Sequence, residues 1–177
     1  MYYRGNRYRE DLKSVLNCVE SIYILKQSSV LITGASGLIG SFLVDFLMYC
    51  NEVLSLGIDI YVMGRNVSSL SRRFSSHLHS EHFHIIQHDV TTPFTETIHV
   101  DYIIHAASNA YPQLFSIDPV GTITSNVFGT YYLLEYLKST RGKRFLFVSS
   151  GEVYGLSCSG GNILDELSYG YVNITDP

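Results

Sequence analysis

The sequence is short of charge, of proline and of cysteine, and each shortage closes off a class of protein. Charged residues are 16% of the 177 residues and the formal net charge is −4. No strong basic field is available to hold nucleic acid or an anionic membrane. Only 4 prolines occur and 46% of residues are hydrophobic, the balance of a folded core and not of a disordered tail. The 3 cysteines, Cys18, Cys50 and Cys158, are odd in number and far apart. They suggest neither a disulfide framework nor a paired metal motif, and a reducing cytoplasm suits them. No run of about 18 apolar residues is present, so no transmembrane helix is expected. Residues 1–10 are polar and basic with no cleavage-site pattern, so no signal peptide is expected either.

What is present is an alternation of elements. Residues 9–23 place Leu12, Val15, Leu16, Val19, Ile22 and Tyr23 at spacings of three and four. That pattern is an amphipathic helix, either packed on the domain that follows or binding a partner. Residues 1–28 therefore read as an N-terminal helical extension, and 29–177 as the domain that follows it. Short apolar runs at 29–33, 57–63, 84–87, 101–105 and 144–149 read as strands. A helix is expected over 39–49, a helix end and loop over 68–80, and a long helix over 118–138. On that long helix Val127, Tyr131, Leu134 and Leu137 fall near helical period. Strands alternating with helices, and apolar on both faces, predict an α/β fold with a doubly wound parallel sheet.

The segment from Thr33 through Gly34-Ala-Ser36-Gly37-Leu38-Ile39-Gly40 joins the first strand to its helix. The first glycine allows a sharp turn, the second lets a phosphate approach the backbone, and the third lets the helix pack closely. The helix N-terminus then offers free N–H groups to a pyrophosphate. This strand–turn–helix context predicts that 29–177 is a dinucleotide-binding domain of the Rossmann type, the alternative being a purely structural turn. Its end-of-strand partner is unusual. NAD-binding folds place Asp or Glu after the second strand to hold the ribose 2′-hydroxyl. This chain has Met63-Gly64-Arg65-Asn66 there, and Asp59 lies too early. Arg65, assisted by Arg72 and Arg73, suits a 2′-phosphate, so NAD(P) is expected with NADP slightly favoured. The alternative is that Arg65 stacks on an adenine or lies in solvent.

Four motifs occur in register: Gly34–Gly40, then His88-Asp89-Val90, then His105-Ala106-Ala107-Ser108, then Ser149-Ser150-Gly151-Glu152-Val153-Tyr154-Gly155. Two further stretches join them, Asp118–Thr130 and Glu166 followed by Tyr169–Asn173. In this order they resemble the extended short-chain dehydrogenases/reductases, the NAD-dependent epimerase/dehydratase family. They are most similar to its UDP-glucuronate decarboxylase branch. The resemblance implies that Gly34, Ser36, Gly37, Leu38, Ile39 and Gly40 hold the pyrophosphate. It implies that Asp89 and Val90 flank the adenine, and that Ala106, Ala107 and Ser108 line the cofactor. It places Ser150 on the sugar 4-hydroxyl and makes Glu152 an active-site carboxylate. It also implies that Asn126 and a Gly129-Thr130 turn brace the sheet. Read without the family, Asp89 equally caps a turn, Ser150 is a loop serine and Glu152 a solvated acid. Gly151 stands where the dehydratases carry an acid, which weighs against dehydration.

The family's Tyr-x-x-x-Lys pair is absent. No lysine follows Lys143, and none of the lysines has a tyrosine four positions earlier. The expectation is an N-terminal cofactor half, inactive alone, of an enzyme acting through a 4-keto nucleotide sugar. Epimerisation or dehydration on the same scaffold is the alternative, and a non-catalytic dinucleotide sensor is the alternative of another class. The family suggests a homodimer built on the long helix, with Tyr131, Tyr132 and Tyr136 exposed when its partner helix is missing. His77, His79, His82, His84 and His88 match no standard zinc spacing, and no metal site is expected.

Overall fold

The computed structural model describes Tyr3 and residues 5–108, 112–155 and 164–167, without the side chains of 112, 114, 115 and 152. It divides into two units, Met1–Phe147 and Val148–Pro177.

In the first unit five strands form one parallel sheet in the order β3-β2-β1-β4-β5. They are β1 (Ser29–Thr33), β2 (Asp59–Gly64), β3 (Phe83–Gln87), β4 (Tyr102–His105) and β5 (Arg144–Phe147). Each lies within a residue or two of its expected place. The helices are α1 (Asn6–Cys18), α2 (Leu38–Leu54), α3 (Val67–Arg73), α4 (Pro112–Ile117) and α5 (Pro119–Ser139).

The central strand explains the apolar runs. All five residues of β1 are buried, because helices cover both faces. Val30 and Ile32 pack with α1, α2 and α3 residues such as Leu12, Val44 and Leu70. Leu31, between them, points into the other core with Leu133, Tyr136 and Leu137 of α5. Successive strand residues face opposite ways, so two distinct cores make a continuous apolar run. β5 differs: Leu146 and Phe147 at this edge of the described sheet are about half exposed.

Two helical expectations need correction. The N-terminal helix spans Asn6–Cys18, then gives way to a 3-10 turn at Ile22–Leu25. Leu12 is fully buried, but Val19 and Tyr23 are exposed, since the helix ends before it can turn them inward. On α5 the buried positions are Gly129, Leu133, Tyr136 and Leu137. Val127, Tyr131 and Leu134 face outward instead. Tyr136, expected on the exposed face, is buried with its hydroxyl donating to the Ile98 carbonyl at 2.5 Å. Among the described residues no helix is long and apolar enough to cross a membrane.

Polar side chains fasten the N-terminal helix. Tyr3 donates to Glu52 at 2.8 Å, and Arg9 pairs with the same carboxylate. Tyr8 reaches the fully buried Asp45 of α2 at 2.9 Å. Asp45 also accepts from Arg73 at 2.6 Å and lies 2.8 Å from His77 Nε2. One carboxylate thus joins α1, α2, α3 and the turn after α3.

The second unit has one described 3-10 turn, Gly151–Tyr154, in which the Val153 N–H donates to the Ser150 carbonyl at 3.3 Å. Gly155 follows with φ +57°.

Candidate dinucleotide-binding site

The sheet order puts β1 between β2, which leads outward to β3, and β4, which leads outward to β5. The direction of winding reverses between β1 and β4. Open α/β sheets bind ligands in the crevice beyond the carboxyl ends of the strands at such a reversal. Thr33 is level with Met63 of β2 and with His105 of β4, so these three strands end together.

The glycine turn leaves β1 at this point. Gly34 has φ +64°, and a Cβ there would overlap the Ala106 carbonyl beyond β4. The turn can close only with glycine at that position. Its carbonyl accepts the Gly37 N–H at 3.0 Å. Gly37 caps α2 with no side-chain hydrogen bond, and its carbonyl accepts the Ser41 N–H at 2.9 Å. The N–H groups of Leu38, Ile39 and Gly40 precede the first full helical bond and remain available to an anion. Leu38 is 89% exposed, so among the described residues no side chain covers it. A Cβ on Gly40 would stand 2.5 Å from the Gly34 carbonyl oxygen and 2.9 Å from Ala35 Cα. The third glycine therefore packs the helix against the turn itself. Ala106 and Ala107 are half-buried on the β4 side and Ser108 is exposed. Thr33 Oγ1 accepts the Ala107 N–H at 3.2 Å, which pins the two strand ends to each other.

On the β2 side, Arg65 is exposed, and its carbonyl accepts a 3.4 Å bond from Gln87. Asp89 accepts from the Thr91 N–H at 3.0 Å and the Thr91 hydroxyl at 2.9 Å. The Thr91 N–H holds the Asp89 carboxyl below its usual range, and the charge of Arg65 adds to the effect. Arg65 and Asp89 are thus brought together, while Asp89 also forms the turn that its sequence allowed. Val90 packs on α5 at Gly129.

A cleft of about 440 Å³ opens beside the glycine turn, lined by Ser36, Ser69, Arg72, Ser75, Ser76 and the Arg73–His77 cluster. The sequence offered both arginines as assistants to Arg65. Only Arg72 lacks a partner among the described residues, because Arg73 is committed to Asp45. The serines Ser69, Ser75 and Ser76 were missed. Isolated serines around a short helix carry no signal until the fold brings them to Ser36.

Ser150 and Glu152 lie in the second unit, at the 3-10 turn. The Glu152 side chain falls outside the described residues, as do residues 169–173. Among the described residues no group of three or more His, Cys, Asp or Glu is arranged to hold a metal ion.

A twisted parallel sheet with this order, carrying a glycine turn at its reversal point, is a Rossmann-type fold. The model of the NAD dependent epimerase/dehydratase family matches residues 30–171, and the chain belongs to that family. Among curated proteins it is similar to UDP-glucuronic acid decarboxylase 5 of Arabidopsis thaliana, 39% identical over 126 residues. It is also similar to UDP-glucuronic acid decarboxylase 1 of Danio rerio, at 36% over 126 residues. These alignments cover 71% of this chain but 35% and 28% of the relatives, so the chain spans about a third of their length. Among solved structures, the UDP-Glc/GlcNAc 4-epimerase of Campylobacter jejuni superposes with a TM-score of 0.65 at 21% identity. That match covers 80% of this chain and 42% of the epimerase. A UDP-N-acetylglucosamine 4-epimerase from Methanobrevibacter ruminantium gives 0.66 at 23%, covering 84% and 45%.

Proposed function

We propose that the chain is the cofactor-binding part of a nucleotide-sugar-modifying enzyme, UDP-glucuronate decarboxylase-like, that acts through a 4-keto sugar. The observation that carries this reading is the turn at Gly34–Gly40, closed on Ala106 and ending in uncapped α2 N–H groups. The decarboxylase relatives support the finer assignment. In the reading, Leu38, Ile39 and Gly40 donate to the pyrophosphate from their backbone, and Gly37 leaves room for it. Asp89 and Val90 flank the adenine. Ala106, Ala107 and Ser108 border the nicotinamide side. The nicotinamide supplies a hydride acceptor for C4 of the sugar. Ser150 hydrogen-bonds the sugar 4-hydroxyl, and Glu152 is the active-site carboxylate.

The reading favours NADP slightly. Arg65 follows β2 and is exposed, and Arg72, without a hydrogen-bond or ion-pair partner among the described residues, lines the cleft with Ser36 and Ser69. A 2′-phosphate would accept from such a set. The second reading, a non-catalytic dinucleotide module, is favoured by one observation: no Tyr-x-x-x-Lys occurs in the 177 residues. We place the protein in the cytoplasm, and as a homodimer formed through α5. The exposed stripe of Val120, Ile123, Val127, Tyr131 and Leu134 on that helix supports the dimer.

Calorimetric titration of the chain with NAD and with NADP tests the reading. Wild type is expected to bind, with NADP the tighter ligand. Gly37→Ala adds a Cβ 3.2 Å from the Gly34 carbonyl at φ −73°, a conformation any residue adopts. It is expected to melt near wild type and to bind at least about tenfold more weakly, a loss of about 1.4 kcal/mol. Binding of neither dinucleotide, or unchanged affinity in Gly37→Ala, refutes the assignment. Tighter NAD refutes only the role of Arg65 and Arg72. Turnover of UDP-glucuronate by this chain alone would contradict the need for the missing tyrosine–lysine pair.

A further inference from the structure

Two buried polar atoms have no hydrogen-bond partner among the described residues, Nε2 of His105 and Oδ1 of Asn126. They belong to the two sides of one interface. His105 ends β4 and is fully buried. Its Nε2 stands 3.4 Å from where a Cβ would sit on Gly129 of α5. Asn126 is three residues before Gly129, and residues three apart on a helix share a face. A Cβ on Gly129 would also stand 3.2 Å from Val90, so glycine is what lets α5 approach the imidazole this closely.

A proton count fixes the chemistry of each atom. His105 Nδ1 is 2.7 Å from Thr33 Oγ1, and the same oxygen accepts the Ala107 N–H. If Nδ1 carried the ring proton, two donors would point at Oγ1. The hydroxyl proton would then have no acceptor among the described residues. If Nδ1 is bare, the hydroxyl donates to it and every group in the chain is used once. The ring proton is then on Nε2. The unmatched atom of His105 is a donor and that of Asn126 is an acceptor, so one small group that both accepts and donates satisfies the two. Water is that group, and buried waters are found where otherwise unpaired polar atoms line a pocket.

We propose that His105 is held as its Nε2–H tautomer, and that one water molecule buried between β4 and α5 bridges it to Asn126. The hydroxyl of Thr33 then sets the ring on one side and the Ala107 N–H on the other. Resting on the dinucleotide reading for this last link, Thr33 and His105 are positioning residues. They hold the Ala106–Ala107 backbone at the place where the cofactor lies. Among the described residues, the ring meets Thr33 of β1, Gly129 of α5, and Phe145 and Phe147 of β5, and none of these is charged. Burial also pushes the imidazole down to about 4, in keeping with a neutral ring.

The test is nitrogen-15 NMR of the histidine rings in the 177-residue chain. One ring is expected to keep a bare Nδ1 and a protonated Nε2 from about pH 5.5 to about pH 8, across the range where exposed histidines titrate. Its Hε2 is expected to exchange magnetisation with a long-lived water. A proton on Nδ1, titration of this ring in that range, or an Hε2 without a water neighbour overturns the proposal. Asn126→Leu should remove the water signal and leave the tautomer. Thr33→Val should release the tautomer and weaken dinucleotide binding by at least about tenfold, with Thr33→Ser restoring both. Unchanged tautomer and affinity in Thr33→Val refute the positioning role. If wild type binds no dinucleotide, the dinucleotide reading fails, while the ring spectra still decide the tautomer and the water.

Discussion

Asp45 offers the sharpest test of how the N-terminal helix is held. Its carboxylate is fully buried and takes Tyr8 at 2.9 Å, Arg73 at 2.6 Å and His77 at 2.8 Å. Asp45→Asn keeps the shape, removes the charge and turns one acceptor into a donor facing other donors. Breaking a buried pair by removing one partner costs about 3–5 kcal/mol, because the remaining charge is left uncompensated. Arg73 is partly exposed and can reach water, so the lower end, about 3 kcal/mol, is expected. Near the transition that is about 6–12 °C for a chain of this size. The acid limb gives an independent check. Burial raises the Asp45 pKa, and the hydrogen bonds of His77 and Arg73 outweigh it, so the net value lies below the usual carboxylate range. A depressed folded pKa means that the unfolded chain binds the proton more tightly. The stabilisation is therefore complete above the unfolded value of about 3.9 and is lost as pH falls toward the folded one. Thermal melts of wild type and Asp45→Asn should converge as pH drops through that window. A variant melting within about 1 °C of wild type at pH 7 would refute the reasoning, since it would price the buried network near zero.

Two further outcomes are expected. Burial works against ionisation of Asp101, but the Ser29 N–H, Lys143 and His99 outweigh it and bring its pKa to about 2. Asp101→Asn should remove about 2–3 kcal/mol at neutral pH, less as pH falls from about 4 to about 2, and an unchanged acid limb in denaturant melts would disprove this. Val127→Lys puts a charge on the exposed stripe of α5, where Val127 is 58% exposed. Wild type should associate at high concentration and the variant should sediment as a monomer; a monomeric wild type counts against the proposed dimer.

The sheet was legible because a buried parallel strand writes itself as an apolar run, and five such runs became the five strands. The phase of α5 was not legible. The helix is apolar on nearly every side, so spacing alone cannot say which stripe meets the sheet. The sheet takes Gly129, Leu133, Tyr136 and Leu137 and leaves Val127, Tyr131 and Leu134 outside. Tyr136 goes inward because its hydroxyl finds the Ile98 carbonyl, a partner 38 residues away. The same distance in sequence hid the Asp45 cluster. An acid on an apolar helix gave no sign of the histidine 32 residues later, or of Arg73, which looked free to serve the ligand.

The glycine turn shows why identical residues in one motif carry different kinds of information. Gly34 answers to a contact across the sheet, since its Cβ would overlap the Ala106 carbonyl at positive φ. Gly40 answers to a local contact, the helix meeting its own turn. Both are demanded by the fold, whether or not a ligand ever binds. Gly37 has an ordinary φ and, unlike Gly40, only one close neighbour, at 3.2 Å. An alanine there would be a mild nuisance to the fold and a direct obstacle to a phosphate on the α2 N–H groups. Loss of binding in a Gly34 or Gly40 variant would therefore say little about function, because loss of structure predicts the same. Gly37 is the position at which the fold and the ligand make different demands.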